Sequence, residues 1–258
     1  MDIPKQIGNY EVVKKIGEGG FGYIYQVRHP LLDEYACIKE NKEALAEHVE
    51  LLTLEAKILW RLNEHHSIPS TKDFFKVSHN QYALVMSYIQ GPTLAEIISK
   101  HSRIHPEDAT WIVERLFGAM YYAHANGIIH GDIKPENVFV ESKKHDIKLI
   151  DFGLASYKPT ADTKPLGYTT QYAAPEIIDG KPPIPETDIY GAGIILLSAL
   201  GGDVRKKSIP TDTPQEITDF CMDLLKFDPI ERPSWNKNDP LVRISDIREH
   251  VFGRRHMK

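Results

Sequence analysis

The sequence predicts an α+β chain in two parts: a small β-rich part of five strands and one helix, then a larger, mainly helical part. Three observations predict it. Up to Ser87 apolar residues recur mainly with a period of two, interrupted by one helical stripe between about 44 and 62. Gly91-Pro92 then breaks the pattern. Beyond it, apolar residues recur at helical spacing, most continuously over Pro106 to Ala125 and in the run that Asp188 begins.

Tyr10 to Gly17 reads as a strand and Phe21 to Arg28 as its hairpin partner. Between them, Gly17-Glu18-Gly19-Gly20-Phe21-Gly22 has the G-x-G-x-x-G spacing. Glycine there permits positive φ and lets backbone N–H groups approach phosphate oxygens. A Rossmann turn shares the spacing but leads into a helix, whereas YIYQV here is strand-like; a plain glycine hairpin stays open. Glu34 to Glu40 is a third strand with Cys37 and Lys39 on one face. The helix from about Ala44 to Leu62 carries Leu51, Leu54, Ile58, Leu59 and Leu62 as its stripe. Glu55 beside that stripe either faces water with Lys57 or needs a cation. Phe74 to Val77 and Gln81 to Ser87 complete the five strands.

Beyond the break come a short helix, Leu94 to Lys100, and a long one, Pro106 to about Ala125, with proline suited to its first turn. His101 and His105 stand four apart, as zinc ligands on a helix can, yet no third ligand is evident, and they read as a surface pair. His124, before Gly127, reads as a helix C-terminal residue. Ile128 to Gly153 then sets His130, Asp132, Lys134 and Asn137 in one loop, with Asp151 fourteen residues beyond Asn137 after the strand-like VFV and IKLI. Each Asp or Asn alone is an ordinary turn former. Together, a carboxylate flanked by a cation, then an amide and a second carboxylate leading into Gly, are what phosphoryl transfer from a magnesium nucleotide requires. Glu176, inside the helical part, needs a buried partner. Asp188 opens a very apolar helix, where capping is one role for it. GGDVRKKSIPTDTP after Leu200 is too broken for a long helix, and Gln215 to Phe227 and Ile244 to Phe252 read as the closing helices.

At 258 residues the chain suffices for one large domain or two intimate lobes. Hydrophobic content of 41% and charged content of 26% fit a soluble globular protein, and a net charge of -5 gives no support to nucleic acid or an anionic membrane as partner. Two cysteines are too few for a disulfide framework and fit a reducing compartment. MDIPKQIGNY lacks the blocks of a signal peptide, and the longest apolar run, Ala192 to Leu200, is too short to span a bilayer. The expectation is a cytoplasmic protein, with the basic RRHMK end as a solvated tail.

His130-Gly131-Asp132 with Lys134 and Asn137, Asp151-Phe152-Gly153, Ala174-Pro175-Glu176 and Arg232 in DPIERPS together resemble the protein kinase superfamily, over about Tyr10 to Phe252. The resemblance implies a single kinase domain over 1–258, with no regulatory domain outside it. Its fold would be bilobal: an N-lobe over about 8–86 with a five-stranded antiparallel sheet and one helix, a hinge at 87–91, and a mainly helical C-lobe over 92–258. The region after the long central helix, where the family commonly has an extra docking helix, is expected to be abridged. The resemblance also implies ATP with Mg²⁺, Mn²⁺ being an alternative, and protein substrates. Lys134, two after Asp132, is typical of kinases acting on Ser or Thr.

By resemblance, Gly17, Glu18, Gly19, Gly20, Phe21, Gly22 and Ile24 belong to the ATP site. Lys39, paired with Glu55, meets the α- and β-phosphates. Met86 is the gatekeeper beside adenine, and Ser87, Tyr88 and Ile89 form the hinge, although they also read as a core strand end. Cys37 and Phe139 pack on adenine from opposite sides; Cys37 stands where alanine is usual and reads as a small buried hydrophobe. Asp132 orients the acceptor hydroxyl, Lys134 neutralises the moving phosphoryl group, Thr169 contacts both, and Asn137 and Asp151 hold the metal. His130, Phe152, Asp188 beneath the catalytic loop, and Glu176 with Arg232 are structural.

Gly131 departs from the pattern, because many kinases carry arginine there to pair with a phosphate on the activation segment. Its absence implies activity without activation-segment phosphorylation. The same His-Gly-Asp triplet is common in small-molecule kinases resembling aminoglycoside and choline phosphotransferases, which generally lack the Ala-Pro-Glu segment and its arginine. A pseudokinase binding module usually has lost a phosphate- or metal-handling residue, and none of Lys39, Glu55, Asp132, Asn137 and Asp151 is missing. A protein kinase is the preferred reading; substrate and oligomeric state stay unassigned.

Overall fold

The computed structural model describes residues 4–20, 22–42 and 45–254. The chain is α+β and divides into two compact units, Met1–Gln90 and Gly91–Lys258.

The first unit holds β1 (Gln6–Ile7), β2 (Tyr10–Glu18), β3 (Gly22–His29), β4 (Glu34–Asn41), α1 (Ala46–Arg61), β5 (Thr71–Ser78) and β6 (Gln81–Ser87). Its antiparallel sheet has six strands, in the order β1-β2-β3-β4-β6-β5, rather than the expected five. The addition is β1, two residues long and so too short to show any periodicity. Alternation sends Tyr25 and Val27 of β3, Ala36 and Ile38 of β4, and Ala83 and Val85 of β6 into one core with Ile7. Cys37 and Lys39 therefore share the opposite face of β4. Of the expected stripe, Ile58, Leu59 and Leu62 are buried and Leu51 and Leu54 only half-buried, while Leu52, Glu55 and Ala56 of α1 are buried as well. A glutamate occupies one core-facing position, which hid part of the buried face. The expected helix start at Ala44 lies outside the described residues, as does most of the basic C-terminal end.

The second unit opens with α2 (Leu94–His101), whose N-terminus is closed by a capping box in which Thr93 and Glu96 exchange hydrogen bonds. α3 (Pro106–Ala125) follows, then β7 (Ile128–Ile129), β8 (Val138–Glu141), β9 (Asp146–Leu149) and β10 (Ser156–Tyr157). α4 (Pro175–Ile178), α5 (Pro185–Ala199), α6 (Gln215–Leu224) and α7 (Pro240–Phe252) complete the chain. α5 is buried almost all round and packs against α3 and α6, making it the axis of this unit. β8 pairs with β9, and Ile150 N–H donates to Asn137 O at 2.9 Å, so Asn137 and Asp151 emerge at the same end of that ribbon. β10 pairs with β7. Between Ala199 and Gln215 the described chain has no helix; Asp203 accepts from the Arg205 and Lys206 amides in a tight turn, and Arg103 ties down Asp212. α6 stops at Leu224, short of the expected Phe227, and α7 begins at Pro240, before the expected Ile244, because Asp239 caps the Leu241 and Val242 amides. Among the described residues no helix is long and apolar enough to cross a membrane.

Candidate active site

In the first unit the glycine turn links β2 to β3, with Gly19 N–H donating to Gly22 O at 2.9 Å. None of Gly17, Gly19, Gly20 and Gly22 takes the positive φ that glycine permits. The need at Gly22 is for space, since a Cβ would stand 2.8 Å from Glu40 O; at Gly19 and Gly20 it would meet nothing within 4 Å. Phe21 lies outside the described residues. Hydrogen bonds from Lys15 and Lys42 hold the Glu18 carboxyl down to about 2. Ile24 pairs with Gly17 and Lys39 across the sheet.

Lys39 Nζ lies 2.7 Å from Glu55 Oε2, with side chains 12% and 3% exposed. The buried glutamate of α1 thus has its cation, and the Lys57 alternative is set aside: Lys57 is exposed. Cys37 pairs with Met86, and burial pushes its thiol up to about 12, against the charge of Lys39. Ser87 exchanges hydrogen bonds with the Ser70 backbone, while Tyr88 packs on Tyr35 with ring centroids 6.3 Å apart. Ile89 is half-buried.

In the second unit, Lys134 Nζ donates to Asp132 Oδ2 at 2.5 Å and to Thr169 Oγ1 at 2.8 Å, while Thr169 Oγ1 donates to Asp132 Oδ1 at 2.8 Å. The three groups form a closed triangle. Asn137 Nδ2 bonds Asp132 O at 2.9 Å and approaches Asp132 Oδ2 at 3.3 Å. His130 Nδ1 accepts from Asp132 N–H at 3.2 Å, its Nε2 faces Ile150 O at 3.0 Å, and Phe152 meets the ring edge-on with centroids 4.6 Å apart. Both ring nitrogens are committed, so His130 buttresses the loop. Phe139 is half-buried on β8, bridged to Thr93.

The loop is also held by Asp188, which is not the cap of α5 but its fourth residue. Its Oδ2 accepts from His130 N–H and its Oδ1 from Gly131 N–H, both at 2.8 Å. Burial pushes the Asp188 carboxyl up, but these donors and His124 hold it below the ordinary carboxylate range. Gly131 takes φ +77°, the left-handed region that favours glycine, and a Cβ there would stand 3.1 Å from Leu154 O. Glu176, in α4, receives a bidentate bond from Arg232 at 2.7 and 2.9 Å and a third from Thr187 at 2.9 Å.

Asn137 and Asp151 offer amide and carboxylate oxygens, the donor set that suits a hard divalent cation. Among the described residues no three or more His, Cys, Asp or Glu gather into a softer metal site, and His105 instead caps α3.

The protein kinase domain family matches residues 10–239 of this chain. The chain belongs to the protein kinase family. Relatives of this kinase domain include the serine/threonine-protein kinase pkn3 of Myxococcus xanthus, 32% identical over 75% of this chain and 38% of its own length. PrkC of Bacillus subtilis, a serine/threonine-protein kinase, is 32% identical over 93% of this chain and 37% of its own length. KIN12 of Arabidopsis thaliana, an SNF1-related protein kinase catalytic subunit alpha, is 28% identical over 96% and 52%. The chain thus spans between 37% and 52% of the length of these relatives.

Two residues of this kinase domain that touch the scaffold of the 130–137 loop escaped the sequence reading. His124, read only as a helix end, contacts Asp188, and Trp235 contacts His124. They lie 64 and 111 positions from their partners, and no local pattern announces either contact. Tyr172 also reaches the loop, donating to Glu136 at 3.2 Å.

Proposed function

We propose that this domain transfers the γ-phosphoryl group of MgATP to Ser or Thr hydroxyls of protein substrates, and that it needs no phosphate on its activation segment. The observation that carries the reading is the triangle of Asp132, Lys134 and Thr169. A hydroxyl there already donates to Asp132 with an ammonium alongside, which is the arrangement an acceptor alcohol requires.

In the proposed reaction the acceptor alcohol donates to Asp132, which orients it and receives its proton. Its oxygen forms a bond to the γ-phosphorus as the bond to the β–γ bridging oxygen breaks and ADP leaves. Lys134 sets positive charge beside that oxygen, and Glu55 fixes Lys39 for the α- and β-phosphates. Asn137 and Asp151 would hold the divalent metal, which when bound neutralises phosphate charge.

Independence from phosphorylation is supported by the number of tethers on the activation segment that involve no phosphate. β10 pairs with β7, Lys158 N–H bonds Gly127 O, Thr169 joins Asp132 and Lys134, Tyr172 joins Glu136, and Glu176 joins Arg232. A cytoplasmic setting is in keeping with the free thiols Cys37 and Cys221.

The test is ATP turnover by phosphatase-treated domain with generic protein substrates, and with small alcohols and aminoglycosides in parallel. Phosphate on protein Ser and Thr, undiminished by the treatment, is expected. Label entering the small alcohols instead would replace this reading with a small-molecule kinase, and loss of turnover after dephosphorylation would overturn the independence.

A further inference from the structure

Behind the catalytic loop runs a hydrogen-bonded relay for which the proposed chemistry has no use. The His124 ring, near the end of α3, is 3% exposed. Its Nε2 stands 2.7 Å from Asp188 Oδ2, and its Nδ1 lies 2.8 Å from Trp235 Nε1. An indole N–H can only donate, so Nδ1 must present its lone pair. The one remaining ring proton then sits on Nε2, directed at Asp188. Asp188 passes the constraint on, because its two oxygens also take the amides of His130 and Gly131, the two residues before Asp132.

Trp235 is itself fixed. Two backbone hydrogen bonds close the Ser234–Lys237 turn at 2.8 and 3.0 Å, and the indole meets Phe117 and Tyr121 edge-on at centroid distances of 6.2 and 5.4 Å. Three residues earlier Arg232 holds Glu176. One short segment therefore secures the end of the activation segment and, through His124 and Asp188, the start of the catalytic loop. Gly131 has no side chain to hold its left-handed backbone, so the Asp188 carboxylate bears on that peptide directly.

We propose that Trp235 is a positioning residue for the phosphoryl transfer proposed above, acting through the tautomer of His124 and the carboxylate of Asp188 on the peptides that present Asp132. The proposal rests on that reading of the site. Without the indole N–H, the Nδ1–H tautomer of His124 becomes available. That tautomer turns a lone pair toward Asp188 and loosens the carboxylate from the two loop amides.

Trp235→Phe keeps an aromatic ring against Phe117 and Tyr121 and removes only the donor. In ¹⁵N NMR, wild-type His124 is expected as the Nε2–H tautomer, and the variant as a mixture. The His130 and Gly131 amides should shift and exchange with solvent about fivefold faster, the effect of one ordinary hydrogen bond. The kcat should fall about two- to tenfold while KM for ATP stays within about twofold. A wild-type ring protonated at Nδ1, unmoved His130 and Gly131 amides in the variant, or equal losses in kcat and ATP affinity would each overturn the proposal. If the wild-type domain transferred no phosphate, the functional reading would fall, and the tautomer and amide signals would still decide the relay. If the variant did not fold, the wild-type tautomer alone would decide it.

Discussion

Replacing Arg232 with methionine removes the cation from a buried carboxylate. The Arg232 side chain is 0% exposed and that of Glu176 4%. Every guanidinium N–H is used: two on Glu176, and the others on the carbonyls of Lys226, Glu186 and Phe227 at 2.9 to 3.0 Å. The substitution leaves the Glu176 carboxylate with Thr187 where it had a bidentate partner, and strips three carbonyls of their donor. Breaking a buried pair from one side costs roughly 3–5 kcal/mol. Arg103 and Asp212 provide the exposed control: a single guanidinium nitrogen, Nη1, meets both Asp212 carboxylate oxygens, and the side chains are 57% and 60% exposed. Arg103→Ala should cost far less, because water already solvates both partners. Urea unfolding followed by tryptophan fluorescence measures both. If Arg232→Met cost no more than Arg103→Ala, the reasoning from burial would be refuted.

Thr169→Val removes the donor to Asp132 Oδ1 and should lower kcat about ten- to a hundredfold, with Thr169→Ser near wild type, in a peptide phosphorylation assay; equal activity of all three would show that the hydroxyl is idle. Burial pushes the Glu176 carboxyl up, but Arg232 and Thr187 more than offset this and hold it below its ordinary 4.5. The unfolded chain therefore takes the proton first. The stabilisation is fully present above about pH 4.5 and is lost as pH falls through the lower native value, so Glu176→Gln should flatten the acid limb of stability measured by urea titrations at several pH values. Burial pushes the Cys37 and Cys221 thiols up to about 12, so both should alkylate at least about a hundredfold more slowly in the folded chain than in urea, as read by mass spectrometry. Fast native labelling would contradict the burial of Cys221 and the desolvation of the half-buried Cys37.

Much of the fold was legible because its elements announce themselves locally. β6 and α3 have the bounds that alternation and Pro106 suggested, and the break at Gly91-Pro92 coincides with the division after Gln90. What was missed depends on distant partners. β1 is two residues that pair only because β2 lies beside them. Part of the buried face of α1, Leu52 and Ala56, was missed because Glu55, paired with Lys39, occupies a position where an apolar residue would ordinarily signal the core. The glycine turn does not use the positive φ that glycine permits; Gly22 answers to the Glu40 carbonyl across the sheet. At the site, short spacing within 130–137 keeps Asp132, Lys134 and Asn137 together. The proton arrangement of His124, by contrast, depends on Trp235, 111 residues away, and no sequence pattern encodes that distance.

The most direct measurement of the central claim is phosphoryl transfer by the domain and its Asp132→Asn variant, with nucleotide binding followed in the same samples. The account predicts that wild type phosphorylates Ser and Thr in protein substrates. It also predicts that Asp132→Asn loses about 10²- to 10⁴-fold in turnover while binding nucleotide nearly unchanged. Equal turnover by the two proteins would contradict it.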